Sequence, residues 1–228
     1  MPGLSPMDPD LTPVVLYEDN HVIVVVKPAE VLVQGDASGQ PTLMDAVKLW
    51  LAKKYHKPGN VFLGLVQRLD RPVAGVMVFA RTSKAASRLS EQIRSRTIEK
   101  IYHALVEGDV APESQRLVHW LSEADGFVTA HDAPAPDRKE ARLGLRVLRR
   151  DRTATLVEID LETGRKHQIR VQLARAGHPV VGDSRYGARL PWPKPGIALV
   201  AHRLRFRHPT QDRELAFELP AALDPLKP

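Results

Sequence analysis

The sequence predicts a mixed α+β fold, and three observations predict it. Strand-like apolar runs recur from Val14 to Leu219, only three segments carry a helical period, and no internal repeat or low-complexity run interrupts them. With 43% hydrophobic and 26% charged residues, 228 residues suffice for a sizeable core.

The elements follow in order. Val14–Tyr17 and His21–Lys27 read as strands around the turn Glu18-Asp19-Asn20, with Pro28 ending the second. Residues 42–55 predict a helix. Thr42 caps it, Asp45 stands at capping-box distance, Leu43, Ala46, Val47, Trp50 and Leu51 share a face, and Pro58-Gly59 stops it. Strands are expected at Val61–Val66 and Val76–Ala80, separated by a charged loop punctuated by Pro72 and Gly75. Loops held on a sheet are where chains present functional side chains. A second helix is expected at Ser83–Ser95, with Ala86, Leu89 and Ile93 inward. A strand follows at Glu99–Glu107, with Lys100, Tyr102, Ala104 and Val106 on one face. Asp109–Glu140, broken by Pro112, Pro134 and Pro136, reads as connecting hairpins and loops. Leu143–Leu148 and Ala154–Leu161 resume strand patterning. The third helix spans His167–Ala176, with Gly177 at its end and Pro179 beyond. Pro191–Pro195 reads as a rigid surface insert, and strands at Ile197–Phe206 and Glu214–Leu219 close the chain. The expected organisation is a Pro-rich tail, residues 1–13, and one domain, residues 14–228.

Lys and Arg total 33 against 27 acidic residues, giving net +6 and a pI near 9.7. That balance suits a polyanionic partner, because neutralising phosphates releases condensed counterions. The absence of cysteine excludes disulfides, a thiol nucleophile and Cys-ligated zinc. No apolar run approaches the ~20 residues that span a bilayer. The first 13 residues lack targeting features, so a cytoplasmic location is expected.

Four segments carry the chemistry. Arg68-Leu69-Asp70 precedes Gly75 by five residues from the Asp. Glu99-Lys100-Ile101-Tyr102-His103-Ala104 is the second. Gly164-Arg165-Lys166-His167-Gln168-Ile169-Arg170-Val171, running on to Gly177-His178-Pro179 and Gly182-Asp183, is the third. Leu204-Arg205-Phe206-Arg207-His208-Pro209 is the last. In this order and spacing the chain resembles the RluA-type RNA pseudouridine synthases over nearly its whole length, Val14 to Leu219. The resemblance implies a mixed, mostly antiparallel sheet with flanking helices and a central RNA-binding catalytic cleft. It implies an isomerase that converts particular uridines of structured ribosomal or transfer RNA to pseudouridine, with no cofactor and no metal.

That reaction breaks N1–C1′, turns the uracil and rejoins it through C5. It needs a carboxylate that attacks C1′ or takes the C2′ proton, and the sequence leaves both open. Asp70 matches that carboxylate; on its own it also reads as a turn-capping Asp. Arg170 matches the family's basic partner for the Asp, where a guanidinium fork keeps a carboxylate ionised and oriented. Tyr102 matches the tyrosine that stacks on the target base. Arg68, Arg71, Lys100, Arg165, Lys166 and His167 are expected to line the cleft mouth and hold the RNA backbone, contacts that position without reading sequence. The uridine must leave its stack to reach Asp70.

The chain departs from the family at Gln67, where His is usual, and at Val73-Ala74, where Thr-Ser is usual. It departs again at Lys166, Gln172 and Val200, where Thr, His and His are common. Many relatives carry an N-terminal S4-type RNA-binding domain. Only 13 residues precede the first strand here, so the catalytic domain is expected to bind RNA unaided, as a monomer. Two rival readings stand beside this one. A non-catalytic RNA-binding or RNA-chaperone protein would leave Asp70 without a role. A glycosidase would need a second carboxylate, for which Asp183 and Glu99 are candidates. Nine histidines, with no HxxxH pair or acidic cluster beside them, give no metal signature, so none is expected.

Overall fold

The computed structural model describes residues 12–37 and 39–227, so the expected tail lies outside the described residues apart from Thr12 and Pro13. Among the described residues, a mixture of strands and three α-helices bears out the α+β reading. The chain divides into two compact units, residues 1–98 with 203–220 and residues 99–202 with 221–228.

In the first unit, β1 (Val14–Glu18), β2 (Val22–Lys27) and β4 (Ala74–Ala80) form an antiparallel ladder, with the two-residue β3 (Gly64–Leu65) also on β4. Every residue of β2 and β4 is buried, which explains why both read as unbroken apolar runs rather than alternating ones. Helix α1 (Leu43–Lys54) begins with the expected capping box. Thr42 Oγ1 accepts from the Asp45 amide, and Asp45 accepts from the Thr42 amide in return. Its inward face is Leu43, Val47 and Leu51. Helix α2 (Ser83–Arg94) is capped by Thr82 and buries Ala85 and Leu89; Ala86 and Ile93 stay half-exposed.

The last expected motif has a structural reason. His208 Nε2 hydrogen-bonds Asp19 Oδ2 at 2.7 Å, and Asp19 also accepts from the amides of His21 and Val22 and from the Tyr17 hydroxyl. Burial opposes ionisation of Asp19, but these hydrogen bonds outweigh it and hold the carboxyl at about 2.

The second unit is an antiparallel sheet in the order β5 (Glu99–Glu107), β9 (Ala154–Leu161), β8 (Lys139–Arg150), β6 (Ser114–Ala124), β7 (Phe127–His131). The stretch read as connecting hairpins and loops is therefore largely one long hairpin. Its turn is Asp125-Gly126, and Leu117, His119 and Leu121 alternate inward along β6. The flanking prolines hid that alternation, because the inward set includes a histidine. Helix α3 (Gln168–Arg175) packs Val171 onto Leu121, Val128, Ala130, Ala141 and Tyr186. Burying each such aliphatic side chain contributes roughly 1.5–3 kcal/mol. Strand β10 (Leu199–Arg207) belongs in part to each unit, and its residues Arg203–Arg207 pair with β11 (Glu214–Glu218) in the first.

Candidate functional site

The residues expected from the sequence fall in both units, and each unit holds its own set. In the first unit, residues 66–73 connect β3 to β4, and the segment Arg68–Gly75 runs from this loop into β4. Leu69, Val73 and Ala74 are buried, so the loop is anchored from both sides while Arg68 and Arg71 stay exposed and Asp70 is half-buried. The Val73 amide donates to the Asp70 carbonyl at 3.0 Å, closing a turn with Asp70 at its head. Gly75 sits opposite Lys27 in the β2–β4 ladder with φ +134°, backbone that an L side chain resists. That is a physical reason for a glycine five residues after the Asp.

Sequence reasoning missed the residue beneath this loop. Lys27 is fully buried, and its ammonium donates to the carbonyls of Val31 at 2.7 Å, Pro28 at 2.9 Å and Arg71 at 3.0 Å. Three donors meet three carbonyl acceptors, one of them next to Asp70. Burial pushes the Lys27 amine down to about 7, against the carboxylates of Glu30 and Asp70, which pull it up. Arg71 closes the other side. Its Nε reaches the Glu30 carbonyl at 3.3 Å and the Glu30 carboxylate at 3.4 Å, while its own carbonyl accepts from the Glu30 amide at 2.8 Å. The one sequence signal was a lysine ending an otherwise apolar run.

In the second unit, Tyr102 lies on β5, 8% exposed, opposite Ile159. Arg170 projects from α3 into a buried bidentate pair, Nε to Asp183 Oδ2 at 2.7 Å and Nη2 to Asp183 Oδ1 at 2.8 Å. This gives the Gly182-Asp183 pair its role and occupies both oxygens of the carboxylate offered as a glycosidase's second acid. Above the Arg170 guanidinium stands the Tyr186 ring, 5.0 Å away, and the Tyr186 hydroxyl meets His167 Nδ1 at 2.7 Å.

His167 does more than the sequence reading assigned it. It precedes α3 in left-handed backbone, φ +52°, without a side-chain cap. Gln168 supplies the local order instead: its Oε1 accepts from Thr163 Oγ1 and the Arg165 amide, and its Nε2 donates to the Arg142 carbonyl. The segment Gly164–His167 is thereby pinned with Arg165 and Lys166 exposed. Arg165 Nε bonds only a carbonyl, that of Glu140, whereas Lys166 is ion-paired with Glu123. Lys100 is lowered below the ordinary lysine range by burial, opposed by Asp160, and a Cβ at Gly164 would lie 3.5 Å from its Nζ. Among the expected residues, then, Asp70 and Arg71 gather around Lys27 in one unit, and Arg170 and His167 around Tyr186 in the other.

Comparison with known proteins adds the following. A family profile described as RNA pseudouridylate synthase matches residues 21–175. The ribosomal large subunit pseudouridine synthase D of Nitrosomonas europaea is 34% identical, covering 90% of this chain and 61% of that protein. The same-named protein of Pseudomonas aeruginosa is 34% identical over 92% and 68%. The chain thus spans about two thirds of the length of these relatives. Among solved structures, human RNA pseudouridylate synthase domain containing 4 superposes with a TM-score of 0.76 at 23% identity, over 91% of this chain and 88% of that one. That likeness concerns the fold.

Proposed function

The chain belongs to the RNA pseudouridylate synthase family, and from that premise we propose that it isomerises particular uridines in structured RNA, with Asp70 as the essential carboxylate. Large-subunit ribosomal RNA is the favoured substrate class over transfer RNA, because relatives 34% identical carry that name. The single observation that carries the assignment of Asp70 is the way its loop is held: a buried ammonium and a φ +134° glycine fix the backbone on both sides of a half-buried carboxylate.

The reaction balances without an outside reagent. N1–C1′ breaks, the freed uracil turns, C5–C1′ forms, and the C5 proton is lost while N1 gains one. No electrons leave the substrate, so no redox cofactor is required. Asp70 either bonds C1′ or removes the C2′ proton. Tyr102 offers a ring face for the extruded base, and base–aromatic stacking contributes about 1–3 kcal/mol. Arg170, oriented by Asp183, supplies the cationic partner for Asp70. Arg68, Arg71, Lys100, Arg165, Lys166 and His167 hold the backbone around the target. We place the enzyme in the cytoplasm, acting as a monomer.

The test is to map carbodiimide-adduct stops across total RNA from cells with and without the protein. Loss of one or a few discrete stops in large-subunit ribosomal RNA supports the reading. An unchanged map, with RNA bound but never modified, would favour a non-catalytic RNA-binding role.

A further inference from the structure

The geometry points to a divalent-metal site of the zinc class on the second unit, formed by His103, His202 and Asp224, with Glu158 beside it. His103 lies on β5 directly opposite Glu158 on β9, and His103 Nε2 is 3.6 Å from the Glu158 carboxylate. His202, on β10, stacks on His103 with ring centroids 3.8 Å apart and planes 17° from parallel. Asp224 comes from the C-terminal turn that follows Ala221–Leu223. Its side chain is 1% exposed, and its Oδ2 is 3.9 Å from His202 Nδ1. One donor atom from each of His103, His202 and Asp224 lies within 4.8 Å of the other two.

The ordinary alternative is a packed pair of imidazoles. Two features argue for a cation. The Asp224 carboxylate is nearly inaccessible, and among the described residues no Lys or Arg pairs with it; its Oδ1 accepts only the Leu226 amide, at 2.9 Å. A buried carboxylate calls for positive charge. A proton on one imidazole supplies a single charge, and charging both rings would set two cations with centroids 3.8 Å apart. One dication satisfies the carboxylate and both rings together. Two imidazoles with carboxylates and no thiolate suit zinc, nickel or cobalt rather than the oxygen-ligated magnesium or calcium. Tetrahedral ligation at about 2.0–2.1 Å brings donors to roughly 3.4 Å apart, so the rings must turn about their Cβ–Cγ bonds and close by about 1 Å.

Placement gives the site a consequence. Side chains alternate along a strand, so His103 projects from the face of β5 opposite to that of its neighbour Tyr102. A bound metal would clip the C-terminal turn to the back of the strand that carries the stacking tyrosine. Sequence reasoning expected no metal, since the nine histidines form no HxxxH pair and no acidic cluster accompanies them.

The test uses the full chain stripped with chelator. Zn2+ is titrated by calorimetry, and Co2+ by its visible absorption, which reports coordination number. One equivalent per chain is expected, with a rise in melting temperature on saturation. Asp224→Asn, nearly isosteric, and His103→Phe, which keeps the stack, should each weaken binding at least tenfold, while His56→Ala, an exposed histidine, should not. Absence of saturable binding below about 100 µM would overturn the site, as would equal affinity in all three variants. Neither readout involves RNA, so the result stands apart from the proposed activity.

Discussion

Replacing Arg170 by Met tests the buried pair at the root of α3. The substitution keeps much of the stem's volume and strands the Asp183 carboxylate, 2% exposed, without the fork that now binds both its oxygens. Removing one member of a buried ion pair costs about 3–5 kcal/mol, because the remaining charge stays desolvated and unpaired. In a chain of this size each kcal/mol lowers the melting temperature by about 2–4 °C, so a fall of about 6–20 °C is expected. Asp183→Asn alone should cost less, since its amide oxygen still accepts from the guanidinium. The double variant Arg170→Met/Asp183→Asn removes both charges and should be about 2 kcal/mol more stable than the sum of the single effects. Calorimetric melts of the four proteins close the cycle. A melting temperature for Arg170→Met within about 2 °C of the parent, or additive effects in the double variant, would refute the pair as described.

Lys27→Met leaves three carbonyls beneath the Asp70 loop without their donor, each worth about 1–3 kcal/mol, partly offset by removing a buried charge. A net loss of about 2–3 kcal/mol and faster amide exchange at Arg71–Val73 are expected in hydrogen-exchange experiments, and unchanged protection there would contradict the tether. Asp19, held at about 2 against an ordinary 3.8, contributes stability that is complete above about pH 4 and is lost as pH falls through 2. Asp19→Asn should therefore melt well below the parent at pH 6 and approach it near pH 2, whereas a gap independent of pH would argue against the His208 clasp. Among the basic residues, Arg68 has no carboxylate partner among those described and Arg165 bonds only a carbonyl, whereas Arg71 and Lys166 are paired with Glu30 and Glu123. Arg68→Ala and Arg165→Ala should each flatten the slope of log affinity for RNA against log salt by about 0.7–0.9, and Lys166→Ala by less. Equal slopes in all variants would move the RNA-binding face elsewhere.

What could be read from the sequence was what local periodicity encodes. The Thr42/Asp45 box, the bounds of β5 and the Gly177 stop after α3 rest on neighbours a few residues apart, and the structure has them as expected. The family motifs likewise singled out Asp70, Tyr102 and Arg170 as candidates by their order. What was not legible depends on partners brought together by folding. Lys27 ends an apolar run and reads as a strand terminus; only the approach of the Arg71 carbonyl, 44 residues on, reveals its task. His208 meets Asp19 across 189 residues, so its motif could be matched but not explained. Tyr186, which sits over Arg170 and bonds His167, carried no local pattern at all. The β6–β7 hairpin was expected only as one of several hairpins and loops: prolines on both flanks obscured its strand bounds, even though Asp125-Gly126 is a strong turn signal.

If Asp70 performs the proposed isomerisation, release of tritium from C5 depends on its carboxylate. Large-subunit ribosomal RNA transcribed with [5-3H]uridine is incubated with the parent protein and with Asp70→Asn, whose amide fills the same space and can neither attack C1′ nor accept the C2′ proton. Stoichiometric release at a small number of sites is expected from the parent and none from Asp70→Asn, with RNA affinity within a few fold for both. Release by the Asp70→Asn protein at a rate near that of the parent would contradict that role for Asp70.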